Sequence, residues 1–291
     1  MNSKKIGIIG LGRIGVPVAS AYMKAGYRVF GLDIDHQSMD RLKSEGGIAV
    51  DTPADMARAT QVILLLVLND AQVQEVVYGE NGILQASIED LTVVCMSTIN
   101  RETLEEVVLR CQESGVKLVD CPFTGGPARV PLGTLTLIIA GQPSVIKGLS
   151  EVLEVIGNPI RVGDNPGLGQ AVKHCNQLLV GITHAATMEL ITLANKMGLE
   201  ADLVCKVVGE GIAGSDYFRL LSEAVLQGTP SPGGLGQMCK DVSIVRNSTG
   251  KAGFKASVLL AAADYFKQAE ALGMQHLEGA DLIEVVKTSN L

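Results

Sequence analysis

The first half of the chain alternates short apolar runs with stretches in which apolar residues recur every three or four positions. The apolar runs have the length of buried strands. They predict seven strands, at Lys5–Ile9, Arg28–Asp33, Val62–Leu68, Thr92–Met96, Lys117–Asp120, Thr134–Ala140 and Ile160–Val162. The stretches between them predict helices, at Val16–Ala25, Met39–Ser44, Ala71–Val77, Arg101–Glu113 and Pro143–Ile156. Strands separated by helices indicate a parallel sheet that is covered on both faces.

The pattern changes at a turn-rich segment, residues 163–167, beyond which no strand is predicted. Residues 170–197 predict one long helix that is apolar almost all round, which is typical of a helix buried among others. Further helices are predicted at residues 202–209, 216–226, 236–249, 256–272 and 279–288. We therefore expect two domains, residues 1–163 and residues 164–291.

A glycine-rich segment follows the first predicted strand. Gly10-Leu11-Gly12-Arg13-Ile14-Gly15 matches the pattern G-x-G-x-x-G and leads into a helical pattern. Gly10 allows the tight turn, Gly12 lets backbone N–H groups approach a pyrophosphate, and Gly15 lets the helix pack closely on the sheet. The helix N-terminus then presents its partial positive charge to the phosphates. The segment predicts an α/β, Rossmann-type doubly wound parallel sheet that binds a dinucleotide, followed by a C-terminal all-helical domain.

Asp33, at the end of the second predicted strand, indicates which dinucleotide binds. A carboxylate there accepts hydrogen bonds from the ribose hydroxyls of the adenosine and repels a 2′-phosphate, so NAD is favoured over NADP. Asp35 is an alternative for the same role. Arg13 and Arg28 are the nearby candidates for holding a phosphate, and neither directly follows Asp33.

Composition excludes several other classes of protein. The chain has 291 residues, a net charge of −7 and no basic block, which argues against nucleic acid as a partner. The longest uninterrupted apolar run, Val62–Leu68, is far shorter than the ~18 residues of a membrane span, and the N-terminus resembles no secretory signal. We expect a cytoplasmic protein without a membrane partner.

The cysteines and histidines show no metal-binding spacing. The six cysteines include no C-x-x-C pair, and the four histidines form neither H-x-x-H nor H-E-x-x-H. We therefore expect no metal site. The cysteines are expected to be buried reduced thiols.

Three loops follow predicted strands at the edge where a dinucleotide lies in such sheets. The first contains Leu68 and Asn69, which are expected near the adenine and ribose. The second contains Thr98, expected near the nicotinamide. The third contains Thr124-Gly125-Gly126, whose glycines allow backbone N–H groups to face a small carboxylate. Each loop alone is also compatible with an ordinary turn.

Lys173 lies near the start of the long helix, just after the predicted domain boundary. A lysine there can exchange a proton with a substrate hydroxyl, since burial lowers the pKa of a lysine toward the useful range. The alternative is a surface lysine whose charged end reaches water.

Six motifs together resemble the β-hydroxyacid dehydrogenase family, and most closely its L-threonate dehydrogenase branch. They occur in order along nearly the whole chain, at residues 10–15, 96–99, 120–126, 133–136, 169–173 and 240–241. The resemblance implies that Lys173 is the catalytic acid/base and that Thr124-Gly125-Gly126 binds the substrate carboxylate. It also implies that Thr98 contacts the substrate or the nicotinamide ribose, and that Lys240 closes the site from the helical domain.

Two positions depart from the family pattern. The family usually has serine where this chain has Thr124, so the hydroxyl is kept and a methyl group is added. It usually has asparagine four residues after the lysine, where this chain has Gln177, preceded by Asn176. Residues four apart share a helix face, so Gln177 and Asn176 are candidate substrate-binding residues.

The resemblance predicts an NAD-dependent oxidoreductase that acts on a small hydroxy acid and forms a homodimer or homotetramer. An imine reductase is the nearest alternative, and Lys173 argues against it because imine reductases usually replace this lysine. A 6-phosphogluconate dehydrogenase has a much larger helical domain. An NAD(H)-binding sensor without turnover, or a scaffold with a vestigial site, is opposed by the intact Lys173, Thr124-Gly125-Gly126 and Lys240.

Overall fold

The computed structural model describes residues 4–289, and the chain divides between Lys173 and His174 into two compact units. This division lies ten residues after the boundary expected at 163. The first turns of the long helix belong to the first unit because the Gln170 side chain bonds there to Ser97 O and to Asp120 Oδ1.

The first unit is built on one nine-stranded sheet. Its strands are β1 (Lys5–Ile9), β2 (Arg28–Leu32), β3 (Ile48–Ala49), β4 (Val62–Leu65), β5 (Thr92–Cys95), β6 (Lys117–Asp120), β7 (Phe123–Thr124), β8 (Leu135–Ala140) and β9 (Gly157–Gly163). The first six strands are all parallel, in the order β3-β2-β1-β4-β5-β6. This order reverses between β1 and β4, which is where doubly wound sheets bind ligands.

The strands up to β6 form the expected parallel sheet, and the sheet becomes mixed beyond β6. β8 is antiparallel to β6 and to β7, whereas β9 is parallel to β8. Only a short segment, residues 121–134, connects β6 to β8. A connection that holds no crossover helix brings the chain back antiparallel.

Seven α-helices that lie wholly in the first unit accompany this sheet among the described residues, besides two short 3₁₀ helices at Ile83–Ala86 and Pro127–Arg129. The α-helices are α1 (Gly15–Lys24), α2 (His36–Ser44), α3 (Pro53–Ala59), α4 (Asp70–Tyr78), α5 (Arg101–Glu113), α6 (Pro143–Gly148) and α7 (Ser150–Leu153). The predicted helix Pro143–Ile156 is therefore two helices that meet at Leu149. Neither α3 nor the two-residue strands β3 and β7 were expected, because segments this short carry no resolvable period.

Apolar side chains fill both faces of the sheet. Neighbouring residues of β4 point to opposite faces: Leu64 joins one core cluster, while Ile63 and Leu65 join the other. All six cysteines are free thiols, and five are buried. Cys175 is exposed, so the expectation of burial is wrong for that residue, which faces outward on its helix.

Among the described residues, the second unit contains helices joined by loops and no strand longer than the isolated bridge between Gly234 and Glu278, as expected for an all-helical domain. Its helices are α8 (Leu168–Lys196), which begins in the first unit, α9 (Ala201–Glu210), α10 (Asp216–Gln227), α11 (Leu235–Lys251), α12 (Ser257–Ala271) and α13 (Leu282–Ser289). By length and composition alone, α8 could cross a membrane, a property it shares with core helices of soluble proteins. Its buried positions include His184, hydrogen bonded at both ring nitrogens, which suits a protein core.

Candidate functional site

The three glycines of the loop after β1 have different surroundings. Gly10 has φ +97°, and a Cβ there would lie 2.6 Å from Leu66 O. A Cβ on Gly15 would lie 1.9 Å from Gly10 O, so the first turn of α1 packs directly on the loop. A Cβ on Gly12 would meet no atom within 4 Å. Gly12 therefore faces open space at the carboxyl end of β1, where a pyrophosphate can approach the backbone.

Asp33 follows β2 and holds the glycine loop from the side. One of its carboxylate oxygens accepts the N–H of Leu11, and the other accepts the N–H of Asp35 at 2.8 Å. A carboxylate has about four acceptor positions, so it retains capacity for ribose hydroxyls. The Asp35 side chain instead accepts from Gln37 N and Ser38 N, and caps α2. This arrangement favours Asp33 over Asp35 for the ribose.

The other predicted cofactor-binding residues of the first unit differ in their exposure and in their hydrogen bonds. Arg13 is exposed and Ile14 is half-buried at the start of α1. The Leu11 side chain lies in the core, so its part in the site is the backbone bond to Asp33. Leu68 is 49% exposed, while the Asn69 side chain caps α4 by accepting Gln72 N at 2.9 Å.

The loop after β5 contains a structural hydroxyl and a half-buried one. Ser97 Oγ donates to Val67 O at 2.7 Å, which ties this loop to the one that follows β4. Thr98, the predicted contact residue, is half-buried beside it. The loop is also held by the Gln170 side chain, which donates to Ser97 O at 3.0 Å and accepts Ile99 N at 3.1 Å.

Asp120, the last residue of β6, is a fully buried carboxylate that sequence reasoning did not single out. Its Oδ2 accepts Gly167 N at 2.8 Å and Gln170 N at 3.1 Å, and its Oδ1 accepts Gln170 Nε2 at 3.1 Å. Burial raises the pKa of Asp120 to about 6, although these N–H donors act in the opposite direction. The signal available in the sequence was its place in the motif at residues 120–126.

Lys173 is buried, with 8% of its surface exposed, so the alternative of a surface lysine is wrong. Its Nζ donates to Phe123 O at 2.7 Å, directly before Thr124. The two glycines that follow have positive φ, +126° for Gly125 and +74° for Gly126. The structure thus brings the predicted lysine to the start of the predicted carboxylate loop, with both belonging to the first unit.

In the second unit, a buried carboxylate joins three of the predicted residues. Gln177 Nε2 donates to Asp241 Oδ2 at 2.7 Å, and Asn176 Nδ2 donates to Gln177 Oε1 at 2.8 Å. Lys240 Nζ lies 2.8 Å from Asp241 Oδ1, in an ion pair whose direction does not suit a hydrogen bond. Asp241 belongs to the motif at residues 240–241, but only the structure shows that it connects Gln177 with Lys240.

Residues 4–289 contain no group of three or more histidine, cysteine, aspartate or glutamate side chains that could hold a metal ion.

Comparisons with known proteins match both units. A model for the NAD-binding domain of 6-phosphogluconate dehydrogenase matches residues 5–165, and one for the NAD-binding domain of NADP-dependent 3-hydroxyisobutyrate dehydrogenase matches residues 167–287. The L-threonate dehydrogenase of Cupriavidus necator is 30% identical over 93% of this chain and 92% of its own length. The Escherichia coli K12 enzyme of the same name is 29% identical over 96% of this chain and 94% of its own. A crystal structure of 3-hydroxyisobutyrate dehydrogenase from Salmonella typhimurium has a TM-score of 0.90, with 26% identity over 97% of this chain and 100% of that one.

Proposed function

Because the chain belongs to the β-hydroxyacid dehydrogenase family and is an NAD-dependent enzyme of that family, we propose that Lys173 is its general acid/base and that its substrate is a small hydroxy acid of the L-threonate or 3-hydroxyisobutyrate class. The observation that carries the proposal is the 2.7 Å bond from Lys173 Nζ to Phe123 O. This bond fixes a buried amine at the start of the Thr124-Gly125-Gly126 loop.

The loop that contains Gly10, Gly12 and Gly15 would hold the dinucleotide, and Asp33 would accept hydrogen bonds from its ribose hydroxyls. When bound, NAD⁺ supplies the acceptor for a hydride from the carbinol carbon of the substrate. Lys173, acting in its neutral form, takes the proton of the substrate hydroxyl as the C–O bond becomes a carbonyl. In the reverse direction the protonated Lys173 returns that proton to the oxygen.

The substrate carboxylate is assigned to Thr124-Gly125-Gly126. The left-handed backbone at Gly125 and Gly126 is a conformation that β-branched residues rarely adopt, and it suits a concave row of N–H groups for an anion. Arg129 passes over Gly125, since a Cβ there would lie 2.8 Å from Arg129 Cδ. The Arg129 side chain therefore covers one side of Gly125.

Gln177 is assigned to the substrate hydroxyls because it lies one helical turn after Lys173 on α8. Asn176, which bonds to Gln177, belongs to the same substrate set, and Thr98 is assigned to the substrate or the nicotinamide ribose. Lys240, held by Asp241, is assigned to the cofactor by the family resemblance.

The lysine assignment is tested by Lys173→Ala, with Lys206→Ala as the matched control because Lys206 is an exposed lysine on α9. General acid–base catalysis contributes about 10²- to 10⁴-fold, so Lys173→Ala should reduce kcat by at least about 100-fold. Its affinity for NADH, measured by fluorescence titration, should stay within about twofold of wild type. Unchanged turnover in Lys173→Ala would refute the assignment.

The substrate is tested with a panel of L-threonate, D-erythronate, 3-hydroxyisobutyrate, glycerate and L-serine, following NADH production. The C4 acid L-threonate should give the highest kcat/KM, because Gln177 reaches one methylene further than asparagine. A preference for L-threonate that persists unchanged in Gln177→Asn would remove Gln177 as the residue that selects the substrate.

We further propose a cytoplasmic homodimer or homotetramer. Large apolar side chains are exposed on the helices of the second unit, among them Leu193, Leu203 and Val207. Light scattering that gives the mass of a single 30.6 kDa chain would contradict this assembly.

A further inference from the structure

The start of α8 is hydrogen bonded to a carboxylate at the end of a strand. Asp120 ends β6, and its Oδ2 accepts the N–H groups of Gly167 and Gln170 at the first turn of α8. Asp120 has no exposed surface. An ionised carboxylate satisfies the unpaired N–H groups of a helix start and opposes the partial positive charge of that terminus. Lys173 lies three residues after Gln170 on the same helix.

The Gln170 side chain extends this contact to a third element. Gln170 has no exposed surface, and its Nε2 donates both to Asp120 Oδ1 at 3.1 Å and to Ser97 O at 3.0 Å. Its Oε1 accepts Ile99 N at 3.1 Å. One buried amide therefore connects the end of β6, the loop that contains Thr98 and the helix that carries Lys173.

We propose that Asp120 and Gln170 are positioning residues of the reaction, which hold the first turn of α8 so that Lys173 Nζ stays at Phe123 O. The proposal rests on the function assigned to Lys173 above. Neither residue is assigned a contact with the substrate, so Asp120 acts through the lysine, and Gln170 acts through the lysine and the Thr98 loop.

The local geometry explains why an aspartate suits this position. A Cβ on Gly169 would lie 2.8 Å from the Asp120 carboxylate, so the helix approaches too closely to admit a longer side chain. An asparagine of the same shape offers one acceptor oxygen. With the oxygen toward Gly167 N and Gln170 N, the asparagine NH₂ would face the donating Nε2 of Gln170, and in the reverse orientation it would face the two backbone N–H groups. Either orientation sets two donors against each other at the start of α8, and that repulsion would displace it. A displacement of about 1 Å at a reacting group costs about 100-fold in rate.

The test compares Asp120→Asn and Gln170→Ala with Thr52→Ala. Thr52 caps α3 by accepting Asp55 N at 3.0 Å, so its loss removes a helix cap of the same unit, away from α8. Asp120→Asn should reduce kcat about 10- to 100-fold, with KM and the Kd for NADH changed less than about threefold. Gln170→Ala should show the same pattern, and Thr52→Ala should lower Tm with kcat unchanged. An Asp120→Asn protein with lowered Tm and wild-type kcat would reduce Asp120 to a structural cap and overturn the proposal.

A double-mutant cycle separates action through the lysine from independent action. In a Lys173→Ala background, Asp120→Asn should add less than about twofold to the loss of kcat, because the group it positions is gone. An undiminished 10- to 100-fold effect in that background would overturn the proposal.

Hydrogen exchange tests the positioning of the first turn of α8 without any need for turnover. A failure of this positioning can therefore be distinguished from a failure of the function proposed for Lys173. Asp120→Asn should speed exchange at the amides of residues 169–173, whereas Thr52→Ala should speed it only in α3. If the wild-type protein oxidises no hydroxy acid, the function assigned to Lys173 fails while this measurement still decides whether Asp120 holds its turn. Unchanged exchange at residues 169–173 would overturn the positioning.

Discussion

The three glycines of the loop after β1 differ in how closely the rest of the protein approaches them. The backbone of Gly10 occupies the space that a Cβ on Gly15 would need, whereas the space beside Gly12 contains no protein atom within 4 Å. The spacing alone predicted close backbone packing at Gly10 and Gly15, which G-x-G-x-x-G patterns constrain, and the approach of a pyrophosphate to Gly12 stays a prediction. Sequence reasoning could not foresee that Leu11 N would bond to Asp33, because that bond depends on how β1 and β2 align.

Substitution of these glycines by alanine should separate folding from binding. Gly12→Ala should leave Tm within about 2 °C of wild type, since its Cβ meets no protein atom, and should weaken NADH binding at least about tenfold. Gly15→Ala should lower Tm markedly, because its Cβ would lie 1.9 Å from Gly10 O. Thermal unfolding and NADH titration of both variants check this. Equal effects of the two substitutions on both quantities would contradict the distinction.

Asp33 should set the preference for NAD. Asp33→Ser removes the charge that repels a 2′-phosphate, so the ratio of kcat/KM for NAD over NADP should fall at least about tenfold. Asp40→Ser, at an exposed aspartate of α2, is the control. A ratio that stays at the wild-type value in Asp33→Ser would place the selectivity elsewhere.

At the scale of elements, the sequence predicted the helices and strands that are marked by an apolar pattern within their own residues. The bounds of β1, β6 and α5 match the structure, because each is an uninterrupted run ended by clear punctuation. β7 was missed because its two residues are a strand only through pairing with β8. The burial of Lys173 could not be predicted for the same reason, since it depends on the approach of α8 to Phe123.

The start of α8 should also make activity depend on pH. Burial raises the pKa of Asp120 to about 6, so acidification below that pH adds a proton to the carboxylate and weakens its bonds to the first turn. The two thiols that face it do not titrate there, because burial raises the pKa of Cys95 and of Cys121 above its ordinary value.

We therefore expect kcat to fall as pH drops through about 6. This acid limb of the pH–rate profile would report the effect of Asp120 on Lys173. In Asp120→Asn this limb should be absent, because asparagine does not titrate. Stopped-flow turnover between pH 5 and pH 8 measures both profiles. An identical acid limb in the two proteins would assign it to another group.

At the scale of the whole molecule, two buried groups give opposite contributions to stability. The pKa of Asp120 is higher in the folded state, about 6 against 3.8, so its contribution is complete below pH 3.8 and is lost as pH rises through about 6. Burial lowers the pKa of His184 from 6.5 to about 4, so its contribution is present above pH 6.5 and is lost as pH falls toward 4.

His184→Gln should reveal the second contribution. His184 bonds to Tyr217 Oη and to Gly279 O, both at 2.9 Å, and a glutamine keeps polar atoms but does not titrate. The free energy of unfolding of the wild-type protein should therefore decrease more steeply between pH 6.5 and pH 4.5 than that of His184→Gln. Urea unfolding followed by circular dichroism gives both slopes, and equal slopes would contradict the role of His184.

The single continuous helix α8 has a consequence for how this molecule can be rebuilt. Its 29 residues begin in one unit and end in the other, so Lys173 and Gln177 share one helical register although the division lies between them. One residue inserted after Lys173 would rotate everything that follows in α8 by about 100°. A chimera that joins this first unit to a foreign helical unit must therefore splice within α8 without changing its residue count. A cut after Lys173 would leave that lysine in a frayed final turn.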